Sequence, residues 1–207
     1  MEPLVVPIAY LPSIAYFVNV IRSDEVIIDI HEHYIKQTCR NRTYIGSASG
    51  ALPLVIPVKK VFGNHTPVSV IEIDNAQRWQ RNHWRALESA YQSSPYFLYY
   101  MDDFHALYKK LYSLLIEFNM DLMRLLCRLT GLDTYFTLSD QYIPPGSYRR
   151  DIRNERFSDL TGVAMTEPYQ QVFQHKHGFT ANLSVIDLLF NLGPECRSYL
   201  NRQTLSN

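Results

Sequence analysis

The first thirty residues read as strand, helix, strand, and that order constrains the fold more than anything later in the chain. Residues 4–10 are an apolar run that suits a short buried strand, weakened only by Pro7. Pro12 and Ser13 mark a turn in which Ser13 is a natural helix N-cap. Residues 14–22 suit a short helix, and residues 25–30 form a continuous β-branched run. Strands buried on both faces look like this, because alternation disappears when neither face meets water. The expectation is an α/β fold: a mainly parallel sheet with flanking helices and a helical second part. At 207 residues and 46% hydrophobic content, the chain can bury one real core, so a single domain over 1–207 is expected. Its strand-rich part would cover 1–75 and its helix-rich part 76–207.

The later pattern fills in this plan. Residues 43–45 suit a strand and 46–50 a turn. Leu52, Leu54, Ile56 and Val58 alternate with Pro53, Val55 and Pro57. Two prolines on one face place that strand at a sheet edge. Residues 62–67 suit a loop and 68–73 another strand. Beyond Asp74 the period turns helical, with Gln80, Trp84, Leu87 and Tyr91 on one stripe. Pro95 restarts a helix whose face carries Phe97, Met101, Phe104, Tyr108, Leu111 and Leu115. Asn119 would cap a third helix, closed by Gly131. Residues 134–138 return to strand. The irregular stretch 139–180, broken at Pro144-Pro145-Gly146, reads as an extended loop that closes over a site. Ser184 opens a final helix with Asp187 three residues on, and Gly193-Pro194 ends it.

Composition excludes several classes. Lys+Arg and Asp+Glu are balanced at 20 each, which disfavours nucleic-acid and anionic-membrane partners. No apolar window is long enough for a membrane span. The start, Met-Glu-Pro-Leu-Val-Val-Pro, lacks the basic region of a signal peptide. Cys39, Cys127 and Cys196 are too few and too scattered for a disulfide framework or a zinc signature, and fit reduced thiols in the cytoplasm. The three Asn-x-Ser/Thr matches, at Asn41, Asn64 and Asn182, are then chance.

Candidate chemistry concentrates just after the strand at 25–30. His31, His33, Lys36, Arg40 and Arg42 fall within twelve residues. Arginine offers a rigid fork for phosphate or carboxylate and lysine a point charge, and open α/β sheets bind ligands at strand ends. The plainer alternative is a loop whose charges pair with Asp24, Glu25 and Glu32. His31 and His33 share a face, but no third ligand is evident, so no metal is expected. Lys36 and Arg40 would lower the pKa of Cys39, though no nucleophilic role is assigned to it. The turn at 10–17 would aim helix N–H groups at an anion, or simply pack Tyr16 and Phe17. Trp79 and His83 share a helix face and would either stack on a base or sugar or fill the core. Asp187 serves either the helix dipole or a proton transfer. Arg149, Arg150 and Arg153 would reach back over the anion site or remain solvated. No glycine-rich phosphate loop, nucleophile elbow or zinc-protease helix is present.

Several motifs also carry a family resemblance. They are Tyr10-Leu-Pro-Ser-Ile-Ala-Tyr-Phe17, Tyr34-x-Lys36, Arg40-Asn-Arg42, Leu54-x-Ile-Pro-Val58, and Trp79 with His83-Trp84. Tyr91-x-x-Ser-Pro-Tyr-Phe97, Tyr169-x-Gln-Val-Phe173 and the run from Gly178 to Pro194 complete them. In order and spacing, from about residue 4 to about residue 200, the chain resembles the WbqC-like family in the form common in Bacteroidetes. Ala15 stands where many relatives carry Gly, and the segment 139–170 is shorter than in the broader family. The family name derives from gene clusters for cell-surface O-antigen, so the resemblance implies a part in building or decorating surface polysaccharide.

Together these readings point to a transferase that uses an activated donor, a small molecule or nucleotide conjugate bearing phosphate. Lys36, Arg40 and Arg42 would hold phosphate or carboxylate, and Asn41 and Tyr10 would orient the substrate. Tyr16, Tyr34, Trp79, His83, Arg153 and Asn182 would complete the binding set. His31, His33 or Asp187 would supply acid–base catalysis. No cofactor is assigned. The rival reading is a non-enzymatic binding or scaffold protein of the same pathway. Binding of structured RNA through the basic loop is disfavoured by the neutral charge.

Overall fold

A computed structural model describes residues 3–154, 163–164 and 167–205. Its centre is a four-stranded, all-parallel sheet in the order β7 (Tyr135–Leu138), β2 (Glu25–Ile28), β1 (Leu4–Val6), β8 (Arg150–Asp151). Strands β1 and β2 are joined by helix α1 (Ile14–Ile21), as the opening pattern requires. The other two strands, β7 and β8, come from the second part of the chain. Leu4, Val6, Val26 and Ile28 face the main core. Val5 and Ile27, on the opposite face, pack with Ile143 and Tyr148. Both faces are therefore covered, which explains the unbroken apolar runs. Part of the irregular stretch after β7 supplies that second cover.

A separate hairpin pairs β3 (Arg42–Ser47) with β4 (Gly50–Val55), setting Tyr44 opposite Pro53. Beyond it, β5 (Val58–Lys59) pairs with β6 (Glu72–Ile73). The expected strand over 68–73 is reduced to that last pair of residues. Val68 donates its N–H to Glu32 O at 2.9 Å and Ser69 donates to Ile30 O at 3.0 Å. The loop after β2 thus captures these donors, and Val68–Val70 folds as a 3₁₀ turn.

Helices α2 (Trp79–Tyr91), α3 (Phe97–Lys109) and α4 (Leu115–Thr130) follow. The stripe Phe97 to Leu115 does not lie on one helix. α3 ends at Lys109, Leu111 is exposed, and Leu115 begins α4. Asn119 is not a cap but a fully buried residue inside α4, where Glu117 accepts the Leu114 N–H instead. Gly131 ends α4 with φ +68°, a conformation glycine adopts without strain. The chain closes with α5 (Gln174–His177), α6 (Val185–Leu192) and α7 (Cys196–Arg202), the last unforeseen because Pro194 sits in a 3₁₀ turn that re-enters helix. β9 (Val163–Ala164) and β10 (Thr204–Leu205) pair antiparallel.

Helix α6 locks the layers together. Phe190 is fully buried and meets the rings of Tyr91, Phe97 and Phe104 at centroid distances of 5.1, 5.2 and 5.4 Å. A buried Phe of this kind contributes about 1.5–3 kcal/mol. Its contacts fix α6 against α2 and α3, and so fix where Asp187 lies.

Candidate functional site

The carboxyl ends of the parallel strands carry a buried charge cluster. Asp29, one residue beyond β2, is fully buried and accepts from His31 N–H (2.9 Å), Ser139 Oγ (3.1 Å) and Ile143 N–H (3.2 Å). It also pairs with Arg153, which follows β8. Arg153 donates further to Asp151 and to Ile143 O. Arg40 is 1% exposed and grips Glu32 with both arms of its fork, Nε to Oε1 at 2.8 Å and Nη2 to Oε2 at 2.6 Å. It also reaches Thr38 Oγ1 and Arg153 O. Burial pushes the Glu32 carboxyl above its usual value, against the pull of Arg40.

This arrangement commits Arg40 and Arg153 to carboxylate partners. A guanidinium that grips phosphate here must first abandon its partner and leave a bare buried carboxylate, a penalty of about 3–5 kcal/mol. Both arginines instead anchor the loops that shape the sheet edge. Outside them lies an open crevice of about 420 Å³ bounded by His31, Glu32, His33, Tyr142, Arg153 and Asn154. The His33 ring meets His65 edge-on at 5.2 Å. Lys36 is exposed on the same loop and forms no ion pair among the described residues.

Other expected ligand contacts are turned inward. The Tyr10 hydroxyl lies 2.8 Å from His83 Nδ1 and 2.6 Å from the Tyr108 hydroxyl. Trp79 meets His83 and Phe118 edge-on, so the Trp79–His83 pair presents no open face to a base or sugar. Burial pushes the His83 pKa down to about 4 and leaves it neutral near pH 7. Tyr16 donates to Pro7 O at 3.0 Å. Tyr34 is buried under Lys60, whose ammonium sits 5.6 Å from the ring centroid. Asn41 donates to Ile56 O at 2.8 Å. Arg42 is half-buried on β3, and its Nε lies buried with no partner among the described residues. The Cys39 thiol is pushed up to about 11 by burial, which outweighs nearby Arg40. Arg150 donates to Asn19 O, Arg22 O and Ser23 Oγ, so it serves the fold and not a lid.

The start of α1 has no donor left for an anion. Ile14 N–H donates to Leu183 O (3.0 Å), Ala15 N–H to Asn182 Oδ1 (2.9 Å), and Tyr16 N–H to Ser13 Oγ (3.2 Å). Phe17 N–H donates to Ser13 O at 3.2 Å. Asn182 is thus a cap delivered from another segment, held at φ +55°. The start of α6 abuts the same turn, with Val185 N–H donating to Pro12 O at 2.8 Å and Ser184 Oγ to Leu11 O at 2.9 Å.

One predicted acid–base residue sits at a convergence of distant segments. Asp187, near the start of α6, is 2% exposed. Its Oδ1 accepts from the Tyr91 hydroxyl at 2.9 Å, and Oδ2 accepts from the Tyr169 hydroxyl (2.6 Å) and Gln171 Nε2 (3.1 Å). No cation pairs with it among the described residues. Burial pushes its carboxyl above the ordinary carboxylate value, opposed by those three donors. Gly46 of β3 lies opposite, where a Cβ would stand 3.3 Å from Oδ1. A cavity of about 20 Å³, room for one water molecule, is bounded by Gly46, Tyr91, Gln171, Phe173, His177 and Asp187. His177, the last residue of α5, lines it and its Nε2 lies 2.9 Å from Ala48 O. The sequence pattern does not mark Tyr91, Tyr169 and Gln171 as site residues, although each lies in a motif of the family resemblance. Their spacing along the chain gives no sign that they meet.

Fold and site define a parallel α/β protein with loop-anchoring charge pairs at the sheet edge and a tyrosine-held carboxylate beside it. Residues 8–161 match the WbqC-like protein family, and the chain belongs to it. It is 28% identical over 218 residues to Uncharacterized protein Rv1507c of Mycobacterium tuberculosis, covering 92% of this chain and 94% of that protein. No solved structure matches. No helix among the described residues is long and apolar enough to cross a membrane. Nor is any group of three His, Cys, Asp or Glu among them placed to hold a metal.

Proposed function

We propose that this chain is a cytoplasmic group transferase that uses an activated, phosphate-bearing donor in the assembly of cell-surface polysaccharide. The family's association with O-antigen gene clusters supports the pathway. The observation that carries the chemistry is Asp187, a buried carboxylate held by three neutral donors and, among the described residues, by no counter-ion. Such a group is expensive to bury, and perturbed carboxylates gather where protons move. Asp187 takes the proton from an acceptor hydroxyl as that oxygen bonds to the transferred group and the bond to the donor's phosphate breaks. Tyr91, Tyr169 and Gln171 position the carboxylate. Access requires the segment around α5 to move off the β3–β4 hairpin, where the His177 contact to Ala48 is the tie. Lys36 and Arg42, not Arg40, are the cations of the 31–42 run available to the donor's phosphate.

A thermal-shift screen against nucleotide sugars and acyl-coenzyme A species tests this reading. A donor at about 100 times its Kd adds about 2.7 kcal/mol, a readily measured rise in melting temperature. The expected hit is weakened by Lys36→Ala and survives in Asp187→Asn, which loses only transfer. A blank screen with folded protein overturns the reading.

A second reading, a non-enzymatic binding protein of the same pathway, has one specific support. The crevice at His31 and His33 is open, whereas the Asp187 cavity has room for a single water. It predicts ligand contacts that depend on the histidines and no turnover.

A further inference from the structure

A second groove, remote in sequence from the 31–42 run, has the electrostatics that the sheet-edge crevice lacks. It lies between the first turn of α2 and the last turn of α3 and encloses about 380 Å³. Its lining includes Arg78, Arg81 and Lys109 and no carboxylate. None of the three forms an ion pair among the described residues, whereas the neighbouring Lys110 is neutralised by Asp121 at 2.9 Å. No acidic residue occupies the first turn of α2. Charged surfaces usually interleave both signs, so three unneutralised cations around one concavity leave an uncompensated positive field, and clefts focus such fields.

The wall behind the cations is rigid. The rings of Trp84 and His105 stack at 4.4 Å with an interplanar angle of 11°, and Trp84 also stacks on Phe97 at 6.2 Å. Tyr108 is held from behind by the Tyr10 hydroxyl at 2.6 Å. The Trp84 ring is already engaged by His105 and Phe97. What it offers is charge: two planar forks and a point charge on a pre-formed backing, the set suited to oxygen-rich phosphoryl groups. Its volume falls within the range of small-molecule sites.

We propose that the groove formed by Arg78, Arg81 and Lys109 between α2 and α3 is a binding site for the pyrophosphate or phosphoryl group of a small molecule. The site is distinct from Asp187 and from the sheet-edge crevice, and it stands whether or not Asp187 performs acid–base work. Recognition runs through phosphoryl oxygens, so free pyrophosphate and a nucleoside diphosphate compete for one place and bind with similar strength.

Isothermal titration of the full chain with inorganic pyrophosphate at low salt tests this, repeated with uridine diphosphate and across a salt series. The expected result is saturable binding that weakens as salt rises. In Arg78→Gln/Arg81→Gln/Lys109→Gln, whose substituted side chains are all exposed, binding should weaken about tenfold or more, in line with the loss of charge-assisted bonds. Circular dichroism and melting temperature confirm that the variant folds. Absence of pyrophosphate binding by the parent chain overturns the proposal, and so does binding that the triple variant leaves intact. A preference of more than about tenfold for uridine diphosphate also contradicts it, since the proposal assigns recognition to the phosphoryl oxygens alone.

Discussion

The Tyr169 hydroxyl donates to Asp187 Oδ2 at 2.6 Å, joining an irregular segment to the start of α6 inside the protein. With Tyr91 on the other oxygen, it holds the ionised form of a carboxyl that burial pushes the opposite way. Tyr169→Phe removes one donor to the charged form, so the Asp187 pKa rises further and stability falls by about 1.5–3 kcal/mol. A carboxyl-carbon NMR titration of the two proteins checks this. An unchanged Asp187 titration in the variant would contradict the assigned hydrogen bond.

Arg40 and Glu32 should behave as an inseparable pair. Replacing either alone with Ala strands a buried charge and should lower stability by about 3–5 kcal/mol. The double replacement Glu32→Leu/Arg40→Met, which removes both charges at similar volume, should recover most of that loss. Urea unfolding of the three variants measures the coupling directly. If Arg40→Ala were as stable as the parent, the buried pairing would be wrong.

His83 makes the protein acid-sensitive. Its folded pKa is depressed from 6.5 to about 4 by burial. Below the unfolded value the unfolded chain binds a proton that folded His83 refuses, so stability is full above that value and is lost as pH falls toward 4. The slope reaches at most about 1.4 kcal/mol per pH unit. Asp187 and Glu32, with raised values, act in the opposite sense, so the comparison is between the parent and His83→Gln. The variant should be less stable at pH 7.5, about one unit above the unfolded value, but should lose less on acidification to pH 4.5, near the lower end of the window. Parallel pH–stability curves would contradict the account.

Asn182 tests the shared start of α1 and α6. Asn182→Ala loses the acceptor for Ala15 N–H and puts at φ +55° a residue that tolerates the left-handed region less well than asparagine. Each effect is worth about 1 kcal/mol, so the variant should lose about 2 kcal/mol. Asn182→Gly keeps the backbone unstrained and should lose less than half as much. Thermal denaturation of the two variants checks the order, and equal losses would place the effect elsewhere.

The parts of the fold legible in the sequence are those set by local pattern. The β1–α1–β2 opening, the α2 stripe, the glycine stop at Gly131 and strand β7 all follow from period and punctuation. Residues 68–73 misled because their N–H groups are taken by the loop after β2, a contact no window of sequence displays. The pairing of Arg40 with Glu32 was hidden for a related reason. Opposite charges eight residues apart in a loop meet or face water depending on the fold, and here Arg153 and Thr38 close the case around the pair. Asp187 was legible as a carboxylate at a helix start, but its donors come from the end of α2 and from residues 169–171. Their convergence depends on Phe190 packing α6 into the core.

Surface polysaccharide should therefore be compared in a host strain lacking this gene and complemented with either the parent chain or Asp187→Asn. The amide is close in shape, carries no charge to desolvate and keeps one oxygen for Tyr169 and Gln171 while its nitrogen can donate to the Tyr91 hydroxyl, so the variant should fold and accumulate, which its melting curve checks. The proposed function predicts that the parent restores the polysaccharide and that Asp187→Asn, at equal protein level, does not. Full restoration by Asp187→Asn would contradict it.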